Sequence, residues 1–520
     1  MEKQVAIIGA GLSGLLACKY IIEKGFNPIV FEAEECIGGV WSHTMESTRL
    51  QNMRFTYQFS DFPWPPSIKD LYPTHTQVME YFKSYAQNFG LYRHIKFNSK
   101  VIGIDYVGET EEEMQSWDLW GGTSKPFGSK GKWHIRVQDT RSCNIEVYQV
   151  EFIILCIGQF SGLPNIPEFP PNEGPEVFSG KVMHAIDYSA MDKSSTEDLI
   201  RNKRITIIGS NKSAVDIASE CARANGAKCP CTMIQRSVRW FLPCDIQSGF
   251  IIGFLYFNRF AEMLVHKPGE SFPLSFLATL LAPLRWGTSK LVESYLRWKL
   301  PLKKYGMIPK CSFFQNLSSC QIAMLPDKFY DQVEEGSIIL KKSQSFSFCK
   351  EGLIINGEAQ PLEADTVIFA TGYKGDEKLK NIFQSPFFQR CIMGSPSTAV
   401  PLYRQILHPR IPQLAIIGYS ENLSALCTFE VRCQWLAQFL DGEFELPNIK
   451  YMEKEVTIWG NHFKRYTGKY FRRSCVGNIH IWHNDILCKD MGCNPRRKKG
   501  FLAELFEPYS PTDYADLSGK

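Results

Sequence analysis

The first forty residues constrain the fold more than any other part of the chain. An apolar run over residues 4–8 is typical of a buried strand, and it leads into a glycine-rich turn that opens a helical pattern continuing to Lys24. Gly9 permits the tight turn, Gly11 lets a pyrophosphate approach the backbone, and Gly14 allows helix and strand to pack closely. The phosphates would lie at the positively polarised N-terminus of the helix. This order predicts a βαβ unit that binds a dinucleotide.

The second strand of this unit, residues 28–31, ends in Glu32. A carboxylate about 20 residues beyond the glycines can accept hydrogen bonds from a ribose hydroxyl. Because Glu32 would repel a 2′-phosphate, the first site is predicted for FAD or NAD rather than NADP.

A second unit of the same form begins with an apolar strand at 205–208, followed by Gly209 and a helical pattern to about residue 224. Its glycine pattern is degenerate, since Asn211 stands at the middle glycine position and Ala214 at the third. A structural unit that binds no nucleotide is therefore an open alternative. The candidate cofactor contacts in this loop are Gly209, Ser210, Asn211, Lys212 and Ser213.

The strand that follows, residues 232–234, has no acid at its end. Gln235 and Arg236 follow it, and Arg239 comes three residues later. The planar guanidinium of arginine can bind a phosphate through two parallel hydrogen bonds. The second site is therefore predicted for NADPH, with Arg236 at the 2′-phosphate.

Composition excludes several other classes of protein. A chain of 520 residues suggests three to four folding units, and 44% hydrophobic with 22% charged residues is ordinary for a globular protein. The net charge of +4 is too small to predict a nucleic acid as partner. The seventeen cysteines form no even, closely spaced framework, so we expect reduced thiols, a cytoplasmic location and no metal site.

Two apolar stretches, 250–257 and 271–284, are the strongest hydrophobic segments outside the strands. Neither reaches the roughly 18–20 uninterrupted residues of a spanning helix, and the second contains Pro273 and Pro283. We expect no transmembrane helix, and a region that contacts a membrane surface or lines a pocket.

Further segments make the chain resemble a known family. Residues 178–188 match the FxGxxxHxxx(Y/F) signature of flavin-containing monooxygenases. Other segments of that family are also present, namely Gly39, Val40 and Trp41, the strand 365–369 with Thr371 and Gly372 after it, and the region 402–419 that includes Gly418. The resemblance covers nearly the whole chain, and its general pattern is most similar to the plant branch that includes N-hydroxypipecolate synthase.

Two neighbouring classes fit less well. Baeyer–Villiger monooxygenases carry a similar signature that ends in Trp, whereas this one ends in Tyr188. Disulfide reductases place two cysteines a few residues apart after the first acid, whereas Cys36 has no such partner.

The resemblance implies an α/β protein with two Rossmann-like dinucleotide-binding domains. An NADPH-binding domain, residues 201–340, would be inserted into an FAD-binding domain made of residues 1–200 and 341–520. The strand before Thr371 and Gly372, and the loop at Gly418, would return to the flavin.

The resemblance also implies the chemistry. NADPH would reduce the flavin, O2 would form a C4a-hydroperoxyflavin, and this would oxygenate a nitrogen or sulfur of a small nucleophilic metabolite. N-hydroxylation of a cyclic amino acid such as pipecolate is the first choice, and S- or N-oxygenation of an alkaloid or thioether is the alternative. An uncoupled NADPH oxidase and a nucleotide-binding protein without turnover are further hypotheses. The sequence does not predict the oligomeric state.

One segment departs from the family pattern. Family members place an Asn after Leu-x-Thr near the flavin, but here Asn52 occupies the Thr position and Met53 the Asn position. Asn52 and Met53 are therefore the candidate catalytic residues, and the exchange raises the expectation of hydrogen peroxide leakage. His184 has no paired acid or nucleophile in the sequence, which favours a structural role.

Overall fold

The computed structural model describes residues 3–517 and contains eighteen strands and eighteen α-helices in that range. The strands are β1 Val5–Ile8, β2 Ile29–Phe31, β3 Ile95–Lys96, β4 Ser99–Val107, β5 Lys132–Asp139, β6 Ile145–Val150, β7 Phe152–Leu155, β8 Lys181–His184, β9 Ile205–Ile208, β10 Cys231–Gln235, β11 Phe241–Leu242, β12 Ala323–Met324, β13 Ile338–Lys342, β14 Phe346–Cys349, β15 Gly352–Ile355, β16 Leu362–Glu363, β17 Thr366–Phe369 and β18 Leu414–Ile416. The helices are α1 Leu12–Glu23, α2 His75–Asn88, α3 Glu111–Ser116, α4 Ala185–Ser189, α5 Lys193–Ile200, α6 Lys212–Asn225, α7 Ile246–Tyr256, α8 Arg259–Met263, α9 Phe272–Leu280, α10 Ala282–Lys299, α11 Phe313–Ser318, α12 Phe329–Glu334, α13 Gly375–Asn381, α14 Pro386–Met393, α15 Ala425–Leu440, α16 Ile449–Thr467, α17 His480–Asp490 and α18 Phe501–Phe506.

Two five-stranded parallel sheets organise the molecule. The first has the order β18-β7-β1-β2-β3, and the second has the order β13-β10-β9-β17-β8. All residues of β1, β7 and β9 are buried, as expected where a parallel sheet is covered on both faces. The predicted α/β fold with two Rossmann-like units is confirmed.

The strand before Thr371 and Gly372 lies in the second sheet, and its predicted return to the flavin side is wrong. β17 pairs with β9, with Val367 beside Thr206, and on its other edge with β8. The second sheet therefore takes strands from both sides of the predicted range 201–340. Both β17 and β18 are short, fully buried apolar runs, so their pattern does not tell which sheet they join.

The chain passes between the two sheets twice, after β7 and after β17. These two crossovers contact each other, since the backbone N–H of Asn165 donates to the carbonyl of Gly372 at 2.9 Å and Pro164 forms a β-bridge with Tyr373. The two connections therefore form one short antiparallel ribbon between the units.

Cys320 and Cys475 form a disulfide with a Cα–Cα distance of 5.8 Å. The expectation that all cysteines are reduced is wrong for this pair. Cys320 follows α11 in the segment between β10 and β13, whereas Cys475 lies between α16 and α17. The partners are 155 residues apart, so their spacing in the sequence gave no sign of the pairing.

No helix in the described range has the length and the apolar composition needed to cross a bilayer.

Candidate functional site

The first glycine loop joins β1 to α1 and has no room for a side chain at two of its glycines. A Cβ on Gly9 would lie 2.6 Å from the carbonyl oxygen of Cys156, and one on Gly14 would lie 1.9 Å from that of Gly9. The glycines at these two positions are therefore required by close backbone packing. Gly11 is the N-cap of α1, which has no side-chain cap and no acid in its first turn. Its first backbone N–H groups thus suit an anionic ligand.

A second backbone segment closes over this loop. Gly38 donates its N–H to the carbonyl of Ala10 at 3.1 Å, and a Cβ on Gly39 would lie 3.0 Å from the Cα of Gly11. Gly39 has φ of +58°, a conformation that glycine adopts without strain. The two glycine segments form a narrow backbone cradle, and this fits a pyrophosphate. Val40 and Trp41 follow in a short 3₁₀ turn, where Val40 is half exposed.

Glu32 lies at the end of β2 and faces the glycine loop. Its carboxylate accepts hydrogen bonds from the backbone N–H groups of Ala10 at 2.5 Å and Glu34 at 3.1 Å. Burial raises the pKa of Glu32, and these hydrogen bonds act against that shift. The predicted acid is therefore in contact with the predicted phosphate loop.

The second glycine loop joins β9 to α6 in the same manner. A Cβ on Gly209 would lie 2.3 Å from the carbonyl oxygen of Ala370, just as Gly9 meets Cys156 in the first unit. Asn211 is the N-cap of α6 but makes no side-chain cap hydrogen bond, and the first turn holds no acid. The N-terminus of α6 thus presents backbone donors despite the degenerate glycine pattern. Ser210 is half-buried and Ser213 is exposed beside it.

Lys212 is paired within its own helix. Its ammonium group lies 2.7 Å from Asp216, which also accepts a hydrogen bond from Thr48 at 3.1 Å. Burial raises the pKa of Asp216, and the charge of Lys212 opposes that shift. Thr48 belongs to the first unit, so this cluster ties α6 to the segment that precedes Asn52. The sequence did not predict that Lys212 would be held in this way.

The two arginines after β10 differ in their surroundings. Arg236 is exposed. Arg239 stacks over the ring of Tyr470 at 5.5 Å, and its Nε and Nη1 atoms are buried without a hydrogen-bond partner. Burial lowers the pKa of Arg239, and the charges of Arg473 and Arg236 add to that effect. A guanidinium with two buried donors that have no acceptor in the protein suits an anionic ligand.

The candidates Asn52 and Met53 lie where the two units meet. The Asn52 amide donates to the carbonyl oxygen of Leu423 at 2.7 Å, which fixes it to the loop after Gly418. Met53 is buried in a small apolar cluster with Tyr72 and Met324. The Asn52 amide is thus already in use, and Met53 offers no hydrogen-bond donor.

Gly418 follows β18 and lies against the first helix. A Cβ there would be 2.9 Å from the hydroxyl oxygen of Ser13 in α1. The structure thus places Gly418 beside the first glycine loop. Thr371 and Gly372 lie beside the second loop instead, directly after Ala370.

An open cleft of about 420 Å³ lies at the same junction. Its walls come from residues 47–50, from residues 70–72, from α6 and from the segments beside β11 and β12, and they include Leu50, Tyr72, Lys212, Asp216, Cys244 and Met324. The cleft therefore borders the second glycine-loop helix, and two of its lining residues, Tyr72 and Met324, pack against Met53.

His184 ends β8 and caps α4. The imidazole Nδ1 of His184 accepts a hydrogen bond from the backbone N–H of Ile186 at 3.2 Å, and the backbone N–H of His184 donates to the carboxylate of Asp187 at 3.0 Å. Burial lowers the pKa of His184. These contacts match the expected structural role.

The family model for flavin-binding monooxygenase-like proteins matches residues 2–502. The chain belongs to this family. The predicted class of enzyme, a flavin-containing monooxygenase, is thereby confirmed.

Individual relatives agree with this membership. The Arabidopsis thaliana protein named "Probable flavin-containing monooxygenase 1" is 41% identical over 524 residues, which cover 99% of this chain and 96% of that protein. Among solved structures, S-allyl-L-cysteine S-oxygenase from Allium sativum has a TM-score of 0.59 at 17% identity, covering 95% of this chain and 89% of that one. The OTEMO complex with FAD and NADP has a TM-score of 0.59 at 16% identity, covering 87% and 86%. At these identities the solved structures show the shared fold.

Two features of this flavin monooxygenase were missed by the sequence reasoning. Cys156 and Ile157 follow β7 and lie against Gly9, so residues 156–158 are the counterpart of Ala370 to Gly372 in the second unit. A fully apolar strand followed closely by Gly158 was the available signal. Lys378 donates to the carbonyl of Ile157 at 2.5 Å and to Ser161 at 2.9 Å, and burial lowers its pKa to about 8.

Proposed function

We propose that this flavin monooxygenase uses FAD in the first unit and NADPH in the second, and that it oxygenates a nitrogen or sulfur of a small metabolite. The observation that carries the proposal is the pair of matching glycine loops with opposite charge beside them. Glu32 stands at the strand end of one loop, and Arg236 and Arg239 follow the strand beside the other. The solved OTEMO structure of the same fold contains FAD and NADP.

FAD and NADPH, when bound, would supply the hydride-transfer and O2-activating chemistry, and the protein would contribute orientation and exclusion of water. Gly11 and Gly39 would hold the FAD pyrophosphate, with Glu32 at the ribose. Gly209 and the first turn of α6 would hold the pyrophosphate of NADPH.

Residues at the junction would shape the reaction space. Asn52 holds the loop at Leu423 closed against the first unit, and Met53 with Tyr72 provides an apolar wall. Because Met53 cannot donate a hydrogen bond, a fraction of the NADPH oxidised is expected to yield hydrogen peroxide.

The first choice of substrate is a cyclic amino acid such as pipecolate, hydroxylated at nitrogen. A sulfur substrate is the second choice, since one structural neighbour is an S-allyl-L-cysteine S-oxygenase. The two differ in the atom oxygenated while both carry an amino-acid carboxylate, so they form a matched pair.

The test uses the purified 520-residue chain with NADPH and ¹⁸O-labelled O2. A yellow protein that is bleached by NADPH without oxygen and restored by air supports the cofactor assignment. Mass spectrometry then looks for one labelled oxygen in L-pipecolate or S-allyl-L-cysteine, with the hydrogen peroxide yield measured in parallel. Peroxide equal to NADPH consumed, with no labelled product from a wider panel of amines and thioethers, would identify an oxidase. A colourless protein that does not oxidise NADPH would refute the proposal.

A further inference from the structure

Three polar side chains join the second unit to the segment of the first unit that carries Asn52. The hydroxyl of Thr48 donates to one carboxylate oxygen of Asp216 at 3.1 Å, and the ammonium group of Lys212 donates to the other at 2.7 Å. We call Thr48, Asp216 and Lys212 the junction clamp. Because Asp216 and Lys212 belong to α6, the clamp crosses from one unit to the other.

Lys212 is the first residue of α6, directly after the N-cap Asn211. The backbone N–H groups at this helix end have no side-chain cap, and in the proposed function they hold the pyrophosphate of NADPH. A lysine ammonium group has three donors on a flexible stem, and the hydrogen bond to Asp216 uses one of them. Lys212 can therefore bind the nucleotide phosphates and Asp216 at the same time.

The junction clamp borders the open cleft between the units. Lys212 and Asp216 line this cleft together with Ser47 and Arg49, the two neighbours of Thr48 in the chain. The side chain of Lys212 is 18% exposed, whereas that of Asp216 is 7% exposed and Thr48 is buried. An anionic group in the cleft can therefore reach the ammonium group, while the carboxylate stays largely covered.

The charge state of Asp216 depends on Lys212. Burial raises the pKa of Asp216, and the charge of Lys212 is the strongest influence against that shift, ahead of the hydrogen bonds from Lys212 and Thr48. Removing one partner of a buried ion pair leaves an uncompensated charge, which is costly. A change in the surroundings of Lys212 therefore acts on Asp216, and through it on the hydroxyl of Thr48.

Thr48 begins a short segment that both units hold. Three residues further on, Gln51 accepts a hydrogen bond from the backbone N–H of Met324 in the second unit at 3.3 Å. Asn52 then donates to the loop that follows Gly418 in the first unit. The placement of Asn52 therefore depends on contacts with the second unit at Thr48 and at Gln51.

We propose that Thr48 and Asp216 are positioning residues that couple the bound nicotinamide nucleotide to residues 48–53. With NADPH or NADP⁺ at α6, Lys212 would be shared between Asp216 and the phosphates, and the hydrogen bond from Thr48 would fix this segment. The inference rests on the proposed nucleotide site in the second unit. It adds two residues that lie outside both glycine loops.

The test is hydrogen–deuterium exchange, read by mass spectrometry, on the purified 520-residue chain with added FAD, with and without saturating NADP⁺. In the wild type, NADP⁺ should slow the exchange of backbone amides at the first turn of α6 and in residues 48–53. Thr48→Val should keep the response at α6 and lose the one in residues 48–53. Thr48→Ser, which keeps the hydroxyl, should show both.

Thr44→Val is the matched control. The hydroxyl of Thr44 donates to the carbonyl of Val40, so this threonine bonds within the first unit, and the variant should respond as the wild type does. Circular dichroism confirms that each variant is folded.

The affinity for NADP⁺, measured by calorimetric titration, separates the roles of Lys212 and Thr48. Lys212→Met should weaken NADP⁺ binding about tenfold, because a hydrogen bond between charged groups is lost, whereas Thr48→Val should weaken it less than about threefold. This split distinguishes a residue that contacts the nucleotide from one that positions the segment.

The proposal is overturned if NADP⁺ slows exchange at α6 but not in residues 48–53 of the wild type, an outcome that needs no variant. It is also overturned if Thr48→Val responds at both places as the wild type does. A wild type without any response at α6 would refute the nucleotide site of the proposed function, and this inference with it.

Discussion

Replacing Arg239 by Met should separate nucleotide binding from folding, because two nitrogens of its guanidinium are buried with no acceptor in the protein. Its Nε and Nη1 atoms are buried without an acceptor, and nearby Glu421 is already paired with Arg473. In the proposed complex these donors would meet the 2′-phosphate of NADPH. A hydrogen bond between charged groups contributes about 1.5–3 kcal/mol. The loss corresponds to about a 10- to 140-fold fall in kcat/KM for NADPH.

The same change should not destabilise the protein. Losing the stacking of Arg239 on Tyr470 costs about 0.5–1 kcal/mol, whereas an unsatisfied buried polar group carries a penalty of about 1–3 kcal/mol. The lowered pKa of Arg239 predicts the same outcome. The folded state disfavours the charge of this group, so the charge lowers the free energy of unfolding at every pH below that pKa. The unfolding free energy of Arg239→Met should therefore equal or exceed that of the wild type.

The assay is steady-state oxidation of NADPH and NADH by both proteins, with thermal unfolding measured in parallel. Since NADH has no 2′-phosphate, its kcat/KM should change little. Arg236→Met, at the exposed neighbour, is the comparison and should show a smaller or equal loss with NADPH. Equal losses with NADH and NADPH, or a melting temperature several degrees lower, would refute the reasoning.

Three further predictions follow from the geometry. Gly39→Ala should reduce the amount of bound flavin, because the new Cβ would lie 3.0 Å from the Cα of Gly11 and a left-handed backbone costs alanine about 1–2 kcal/mol. The ratio of visible to protein absorbance measures this, and undiminished flavin in a folded variant would contradict it. The pKa of Lys378 is about 8 in the folded protein and about 10.4 in the unfolded chain, so the unfolded chain binds more protons between these two pH values. The contribution of Lys378 to the free energy of unfolding therefore increases as the pH rises from 8 to about 10.4. Lys378→Met should therefore show a smaller rise, or a steeper fall, of unfolding free energy from pH 8 to about 10 than the wild type, and identical slopes would contradict the assignment. Reducing the disulfide between Cys320 and Cys475, or replacing Cys320 by Ser, should lower the free energy of unfolding by about 2–5 kcal/mol. Denaturant unfolding with and without reductant measures this difference. An unchanged free energy of unfolding of the wild type on reduction would contradict the prediction.

The two nucleotide-binding loops could be predicted from the sequence because their determinants are local. The strand, the glycines and the helix between Val5 and Glu23 follow one another without interruption, and Glu32 comes at the end of the next strand. Even the degenerate loop at Asn211 was recognisable, since α6 and β10 lie where the pattern predicts them.

Features that depend on distant parts of the chain were not predictable in the same way. The pairing of β17 with β9 joins Thr366 to Ile205, and a short apolar strand carries no mark of its neighbour. The contact of Gly9 with Cys156, the bond between Cys320 and Cys475, and the position of Met53 against α7 are likewise set by tertiary packing. The sequence also did not show which face of α10 is exposed, because apolar spacing alone does not distinguish a buried face from an exposed one.

The cystine joins the two units covalently at a point that neither crossover reaches, since Cys320 lies between β10 and β13 and Cys475 between α16 and α17. Hydrogen bonds such as the one from Thr48 to Asp216 join the units as well, so reduction removes one of several connections. Oxidised protein is therefore expected to hold the segment around Cys320 more firmly against the first unit than reduced protein does, while both forms keep the two units in contact.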